Sequence, residues 1–421
     1  MCSTTPKTKA ASPAVTAPAK IPKTINTIKL QANLDKAYNN FKAGLNPDLG
    51  VKTHVPISIY LQKKNSPHEY AGVFDDEHHF SGSLVKVAAM FAAYKLLKEA
   101  KELAQKITDG TVTITANTRD KFFEKLAAQF NLPDAVDGIT NIAADNKKPS
   151  YADILTVPAT FTPSTLTVTF NSNPSSTLAS KGFVEQMEEM IVESNNCSAG
   201  ECIVRLGFPY INVKLMENGF FKKDTWNTSK PIGIWLAGDY IQDTCFNKSK
   251  KLTYVKIKSV NDCGSGNDCT TAQNTCSKEM ADFFMKIVLG ELVDQSSSQG
   301  MHDLLHKGQQ PGAPHTSYLT RLSNLPKKFI IDGVKVGLGP LKSGSGRGVP
   351  QVRSEGILIQ WIAPTTEPAL REYKEKLEKL NMHEDMKGAI CWQNLNDNKD
   401  TDALVNIINT AIENFINQVP I

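Results

Sequence analysis

The spacing of hydrophobic residues predicts α/β structure at both ends of the chain and a helical middle. Apolar positions recur every three or four residues over 33–43, which indicates an amphipathic helix. They alternate with polar positions over 54–61, which indicates a strand, and 69–74 is its expected hairpin partner. Further helices are expected at 83–103, 118–130, 178–193, 202–206, 213–218, 279–292 and 402–417, and strands at 166–170, 252–257, 329–336, 356–362 and 388–392.

This order of elements predicts an α/β (α+β) fold. The early and late strands have to meet in one antiparallel sheet, flanked by the terminal helices, with an all-helical domain inserted between them. The expected divisions are a disordered tether at 1–28, the first part of the α/β domain at 29–80, a helical domain at 81–320 with insertions near 105–176 and 220–272, and the second part of the α/β domain at 321–421.

The N-terminal tether suggests a location. Residues 3–23 are rich in Thr, Pro, Ala, Ser and Lys without periodicity, a composition that stays extended. Cys2 directly before such a tether resembles the first residue of a mature bacterial lipoprotein, with Met1 supplied for expression. This interpretation predicts a periplasmic or extracellular protein with a lipid anchor at Cys2. The alternative is a cysteine that lies in a tail by chance.

Composition narrows the class of partner. Of 421 residues, 40% are hydrophobic and 21% charged, which is typical of a globular protein, and no apolar stretch is long enough to cross a membrane. A net charge of +4 with scattered basic residues is too weak to indicate a nucleic-acid partner. The sequence leaves the oligomeric state open.

Four of the eight cysteines crowd into one stretch, which raises the question of disulfides or metal. Cys245, Cys263, Cys269 and Cys276 have no Cys-x-x-Cys pairs and no histidine among them, so a zinc site is the least favoured interpretation. Disulfides in an oxidising compartment are favoured over free thiols. Their pairing is not readable from the sequence.

Two adjacent histidines follow three acidic residues at 75–79. His78 and His79 could hold a metal ion, but adjacent side chains diverge, and an exposed polar turn is the favoured interpretation. We therefore expect no metal and no cofactor.

The tetrad Ser83-Leu84-Val85-Lys86 is the strongest chemical signal. It opens an apolar helical run in which Lys86 is the only charge before Tyr94. A buried amine must find partners or lose its proton. Residues three apart share a helix face, so the amine can lie beside the Ser83 hydroxyl as the base of an activated nucleophile. The alternative is a lysine that extends out of a core helix into water.

Two further polar groups lie at the edges of predicted elements. Ser194-Asn195-Asn196 lies at the end of the 178–193 helix, where short polar side chains could simply cap a helix. Lys342-Ser343-Gly344 lies before the 356–362 strand, and this tripeptide alone carries no signal. The three groups in this order are much less expected by chance.

Together, Ser83-x-x-Lys86, Ser194-x-Asn196 and Lys342-Ser343-Gly344 resemble the three motifs of the penicillin-recognising serine hydrolases, which include serine β-lactamases and D,D-peptidases. The order of elements is most similar to that of class A β-lactamases, and the resemblance covers most of residues 30–421. It implies a β-lactamase/D,D-peptidase-like fold.

The resemblance implies a catalytic role for each motif residue. Ser83 would attack a carbonyl carbon and form an acyl-enzyme, with neutral Lys86 as base or relay. Lys342 would lower the pKa of the Lys86 amine by like-charge repulsion. Ser194 would pass a proton to the leaving atom, and Asn196 would hold Lys86 and the substrate amide.

The resemblance also implies a substrate site on the third motif. The backbone N–H of Ser345 would form the oxyanion hole with that of the nucleophile. Ser343 and Gly344 would contact the substrate, and a cation would bind its carboxylate, for which Arg347 and Arg353 are the candidates. The expected partner is a small molecule or peptide that carries a carboxylate.

Two departures from the class A pattern concern local hydrogen bonding and deacylation. Asn195 stands where class A enzymes have aspartate. No glutamate occurs between residues 218 and 278, where class A enzymes carry their deacylation base. Asp239 and Asp243 are potential substitutes, although surface aspartates are the favoured interpretation. Without a base, water would attack the acyl-enzyme slowly.

The sequence therefore leaves three functional hypotheses. The first is a β-lactamase-like serine hydrolase that acts on an amide or ester carbonyl. The second is a D,D-peptidase or esterase of the same fold. The third is a penicillin-binding sensor that is acylated without turnover.

Overall fold

The computed structural model describes residues 28–45, 54–62, 67–130, 148–174, 181–222, 233–234, 236, 274–308, 330–331, 334–345, 352–362, 366–379, 387–396 and 402–417.

The described helices fall into a terminal pair, a central group and one short helix between late strands. They are α1 (Ile28–Phe41), α2 (Lys86–Thr108), α3 (Arg119–Ala128), α4 (Tyr151–Ile154), α5 (Phe183–Val192), α6 (Asn196–Leu206), α7 (Phe208–Glu217), α8 (Ser277–Leu289), α9 (Gln295–Lys307), α10 (Glu367–Lys379) and α11 (Asp402–Asn417). Two 3-10 turns cover Lys42–Gly44 and Gly82–Val85.

The described strands form one large sheet and two small pairs. They are β1 (Ile57–Gln62), β2 (Glu69–Val73), β3 (His78–Phe80), β4 (Leu155–Thr156), β5 (Thr169–Phe170), β6 (Asn274–Cys276), β7 (Ile330–Ile331), β8 (Val334–Ser345), β9 (Val352–Ile362) and β10 (Lys387–Asn396). The small pairs are β3 with β6 and β4 with β5.

The large sheet joins the two ends of the chain. Its strand order is β2-β1-β10-β9-β8-β7, and every neighbouring pair is antiparallel. The register of β1 on β10 runs from Ile57 opposite Trp392 to Gln62 opposite Lys387. The predicted α/β fold, with early and late strands in one antiparallel sheet, is confirmed.

One face of this sheet packs on the terminal helices. Ile357, Ile359 and Ile390 point to this side and share a buried cluster with α1 and α11, which contact each other. Alternate residues of a strand lie on opposite faces, so the neighbouring positions face the other way.

The other face of the sheet packs on the helical part of the chain. Leu358, Ala389 and Cys391 belong to the cluster that contains α2 and α8. Helix α8 runs across β1, β9 and β10, and the apolar first half of α2 lies buried inside the cluster. The helix that begins at Lys86 is therefore buried on all sides near its start, as its sequence indicates.

Two expectations for the segments that form β3 and β6 are wrong. His78 and His79 do not lie in an exposed turn but in β3, where they pair with Cys276 and Thr275, and His79 is buried. A three-residue strand whose partner is about 200 residues away leaves no periodic signal. Cys276 is a free thiol in the core, not a disulfide in a loop.

The position of Cys276 explains why it is not cross-linked. It ends β6 and precedes α8, where its thiol donates a hydrogen bond to the Glu279 carboxylate. Burial raises the pKa of the Cys276 thiol well above its ordinary value. The other three cysteines of the stretch and the strand expected at 252–257 lie outside the described residues.

The helical predictions hold with shifts at their ends. The short helices expected at 202–206 and 213–218 are parts of the longer α6 and α7, and α8 ends at Leu289 with Gly290 in the left-handed region. Helices α4, α9 and α10 were not predicted. Among the described helices, none is long and apolar enough to span a bilayer.

Gly356 sets how closely α8 approaches the sheet. A Cβ at this position would lie within 2.9 Å of three ring carbons of Phe284, which is itself fully buried. We expect Gly356→Val to lower the free energy of unfolding by about 1–3 kcal/mol through overpacking. Urea denaturation measures this change. The control is Gly308→Ala, where the nearest atoms lie 3.5 Å from the new Cβ and no loss is expected.

Candidate active site

Lys86 is the buried centre of the site. Its side chain is 0% exposed, and its Nζ donates to the carbonyl oxygen of Ser194 at 2.6 Å and to Oδ1 of Asn196 at 2.7 Å. A third contact joins Nζ to the Ser194 hydroxyl at 3.3 Å. The lysine does not extend into water, so the alternative interpretation of Lys86 is wrong.

These three contacts suit both protonation states of the amine. The carbonyl and amide oxygens can only accept, and two N–H groups satisfy them in either state. The Ser194 hydroxyl can accept from an ammonium or donate to the lone pair of a neutral amine. Lys86 can therefore gain or lose a proton without losing a partner, which is what a general base requires.

Ser83 lies in the tight turn that leads into α2. The turn covers Gly82–Val85, and the backbone N–H of Lys86 donates to the carbonyls of Ser83 and Leu84. Gly82 has φ of 51°, a conformation that glycine adopts at little cost. Ser83 is half-buried, whereas Leu84 and Val85 are buried, so the serine side chain is the accessible one of this turn.

Ser194 adopts a backbone conformation that non-glycine residues rarely take. It lies between α5 and α6 with φ of 55°, and both its carbonyl oxygen and its hydroxyl contact the Lys86 amine. Such a conformation costs of order 1–3 kcal/mol and persists only where the surroundings fix it. Here it gives one residue two contacts to the same amine.

Asn195 caps helix α6. Its Oδ1 accepts from the backbone N–H groups of Cys197 at 2.8 Å and Ser198 at 3.2 Å. An amide oxygen accepts at a helix N-terminus as well as a carboxylate does. The asparagine therefore keeps this cap, while Ser194 and Asn196 on either side of it face Lys86.

The third motif lies on the sheet beside the Gly82–Val85 turn. Lys342, Ser343, Gly344 and Ser345 form the end of β8, which contacts the Gly82–Val85 turn. In the β8–β9 register they lie opposite Gly356, Glu355, Ser354 and Arg353 in that order. The fold thus brings the strand of the third motif to the turn that holds Ser83.

Of the two candidate carboxylate-binding arginines, one lies among the described residues. Arg353 lies in β9 opposite Ser345, at the same end of the sheet as the motif, and Arg347 lies outside the described residues. Asp239 and Asp243 also lie outside them. Across the described ranges, no group of three or more His, Cys, Asp or Glu side chains is arranged to hold a metal ion.

Sequence reasoning missed three residues around the motifs. Glu355 is a buried glutamate opposite Ser343, and Glu189 and Ser198 contact each other behind the second motif at 2.5 Å. Glu189 and Ser198 lie on different helices, so no helical spacing relates them. For Glu355, the only signal was one charge at the start of an apolar strand pattern.

One family model matches part of the chain. Residues 177–328 match the family model described as the beta-lactamase enzyme family. A search of curated proteins found no match.

Several solved structures are similar over nearly the whole chain at low identity. PBP-A is 12% identical, with 93% of this chain and 97% of that chain covered and a TM-score of 0.41. A beta lactamase from Xanthomonas campestris pv. campestris is 9% identical, with 92% and 98% covered and a TM-score of 0.40. A class A beta-lactamase from Mycobacterium abscessus is 12% identical, with 91% and 97% covered and a TM-score of 0.37.

The cap on α6 can be tested with a matched pair of variants. Asn195→Ala removes the acceptor for two backbone N–H groups, so we expect the free energy of unfolding to fall by about 1 kcal/mol. Asn195→Asp keeps an acceptor in place and should match the unsubstituted protein within about 0.5 kcal/mol. Urea denaturation at neutral pH compares the three proteins. Equal losses in both variants would contradict the capping role.

Proposed function

Because the chain belongs to the superfamily of serine β-lactamases and penicillin-binding proteins, whose members are serine hydrolases, we propose that it forms an acyl-enzyme at Ser83 on an amide or ester carbonyl. The observation that carries this proposal is the fully buried Lys86 amine, held by Ser194 and Asn196 one helical turn from Ser83.

In the proposed acylation, the Ser83 hydroxyl attacks the carbonyl carbon while its proton moves to Lys86. The resulting ammonium keeps its three partners, the Ser194 carbonyl, the Asn196 amide oxygen and the Ser194 hydroxyl. Hydrogen bonds to the charged form stabilise it, so the acceptors are in place before the charge develops. Lys342 on β8 is proposed to oppose the same charge and keep the resting amine neutral.

Collapse of the tetrahedral intermediate completes the acylation. The bond from the carbonyl carbon to the leaving nitrogen or oxygen breaks, and the proton taken from Ser83 passes from Lys86 through the Ser194 hydroxyl to the leaving atom. The 3.3 Å contact between Lys86 Nζ and Ser194 Oγ supports this relay. The backbone N–H groups of Ser83 and Ser345 are the proposed oxyanion donors, each worth roughly 3 kcal/mol.

The substrate is proposed to be a small molecule or peptide that carries a carboxylate. Ser343, Gly344 and an arginine, Arg347 or Arg353, would bind it along the end of β8.

A second candidate function follows from the segment between 218 and 278. It contains no glutamate to activate the deacylating water. This favours a D,D-peptidase, an esterase or a penicillin-binding sensor over a fast β-lactamase.

We propose a periplasmic or extracellular location, with a lipid anchor at Cys2, on the composition of the N-terminal segment alone.

The proposed nucleophile can be tested by intact-mass spectrometry over time with benzylpenicillin. We expect the unsubstituted protein to gain the mass of one penicilloyl group and Ser83→Ala to gain none. An adduct that persists for hours indicates a peptidase or sensor, whereas rapid release of penicilloate with little adduct indicates a β-lactamase. An adduct that survives in Ser83→Ala, or the absence of both adduct and hydrolysis product in parallel assays with a penicillin and an activated ester, would contradict the proposal.

The proposed base can be tested by Lys86→Met, which keeps the length of the side chain and removes its amine. We expect the acylation rate to fall by about 10²–10⁴-fold, the range for general-base catalysis. The free energy of unfolding should fall by much less than the loss of rate corresponds to, because an apolar side chain avoids the cost of burying an amine. Stopped-flow acylation and urea denaturation give the two numbers. A loss of stability that matches the loss of rate would indicate a structural role.

A further inference from the structure

We propose that Glu189 and Ser198, which lie outside the three motifs, are a positioning pair that fixes the acceptors of Lys86. Their role in catalysis rests on the proposed acylation at Ser83, but their effect on the Lys86 amine does not.

The pair joins helix α5 to the first turn of α6. The hydroxyl of Ser198, which is 5% exposed, donates to Glu189 Oε2 at 2.5 Å. A hydrogen bond from a hydroxyl to a carboxylate at this distance is of the strong, charge-assisted kind. The other oxygen of Glu189 accepts from Lys181, whose side chain is 40% exposed.

Glu189 is held in its ionised form. Burial works to raise its pKa, but the hydrogen bonds from Lys181 and Ser198 outweigh burial and leave the pKa below its ordinary value. The carboxylate is therefore charged at neutral pH and is a stronger acceptor for the Ser198 hydroxyl than a neutral group would be.

The backbone of the same glutamate makes a second hydrogen bond across the junction. The carbonyl oxygen of Glu189 accepts from the backbone N–H of Asn195 at 3.1 Å. Asn195 in turn caps the N–H groups of Cys197 and Ser198. Glu189 thus holds the α5–α6 junction at two points, through its backbone at Asn195 and through its side chain at Ser198.

Both Lys86 acceptors belong to the junction that these two Glu189 contacts hold. The segment from Ser194 to Asn196 runs between the end of α5 and the turn anchored by Ser198, and Ser194 has the uncommon φ of 55°. A free junction would relax from this conformation. The contacts of 2.6 and 2.7 Å to the amine would then lengthen, and misplacements of this kind reduce rates steeply.

The chain offers a matched set of variants. Ser198→Ala removes the hydroxyl, and Glu189→Gln keeps an acceptor oxygen for it. The control, Lys307→Met, removes an exposed ion pair to Glu188, the neighbour of Glu189 on α5. We expect Ser198→Ala to lower the benzylpenicillin acylation rate constant by about 10-fold with little change in the dissociation constant of the initial complex. Glu189→Gln should lose less than about 3-fold, and Lys307→Met should match the unsubstituted protein.

A second measurement monitors Lys86 itself and needs no catalysis. The titration of the Lys86 amine is observed by NMR of its side-chain nitrogen, with Lys86→Met for assignment. Poorly placed acceptors stabilise the ammonium less, so we expect the titration midpoint to move to lower pH in Ser198→Ala and to stay in place in Lys307→Met.

The two measurements separate the two proposals. A displaced Lys86 titration in a protein that no substrate acylates would support the positioning pair and overturn the acylation. Normal acylation and an unmoved Lys86 titration in Ser198→Ala would overturn the pair alone. A loss in Lys307→Met equal to that in Ser198→Ala would also overturn the pair, because the effect would then follow from any contact of α5 and not from Glu189.

Discussion

The burial of one amine within an apolar helix is the constraint on which the site depends. Lys86 begins a helix whose first two turns lie in the core, so its Nζ cannot reach water. The desolvation of such a group costs several kcal/mol, and hydrogen bonds to a charged group return about 1.5–3 kcal/mol each. Helix α2 can supply none of these acceptors, because the residues that follow Lys86 are Val and Ala, whose side chains carry no polar atom. They come from the α5–α6 junction, more than 100 residues away.

This requirement connects helix packing to chemistry. The junction can serve Lys86 only if α5 and α6 pack against α2, and the three helices do contact one another in the same hydrophobic cluster. The third motif depends on the sheet. Strand β8 lies beside the Gly82–Val85 turn only because β9, β10 and β1 pair in order. Ser58 Oγ and Ser277 Oγ, 2.9 Å apart, hold the start of α8 against that sheet. The site therefore forms only when both halves of the fold are in place.

The sequence was informative wherever a feature repeats or conflicts with its surroundings. The closing helix was predicted at its observed bounds, and β1 was predicted because its alternation extends over several residues. Lys86 stood out as a charge in an apolar run. The left-handed backbone of Ser194, the pairing of His78 with Cys276 and the contact between Glu189 and Ser198 were not predictable. Each of these depends on segments that only tertiary packing brings together, and none leaves a period in the sequence.

In the proposed mechanism, acylation and deacylation use different parts of the chain. The proposed base, its acceptors and the proposed nucleophile lie at the start of α2, in the α5–α6 junction and in the Gly82–Val85 turn, which pack in or beside the buried helical cluster. A deacylation base would lie between residues 218 and 278. Within this segment, the backbone of Leu236 exchanges two hydrogen bonds of 2.7 and 2.9 Å with the amide of the buried Asn212. In the proposed mechanism, the lifetime of the acyl-enzyme can therefore change through residues of 218–278, which include neither the base nor the nucleophile.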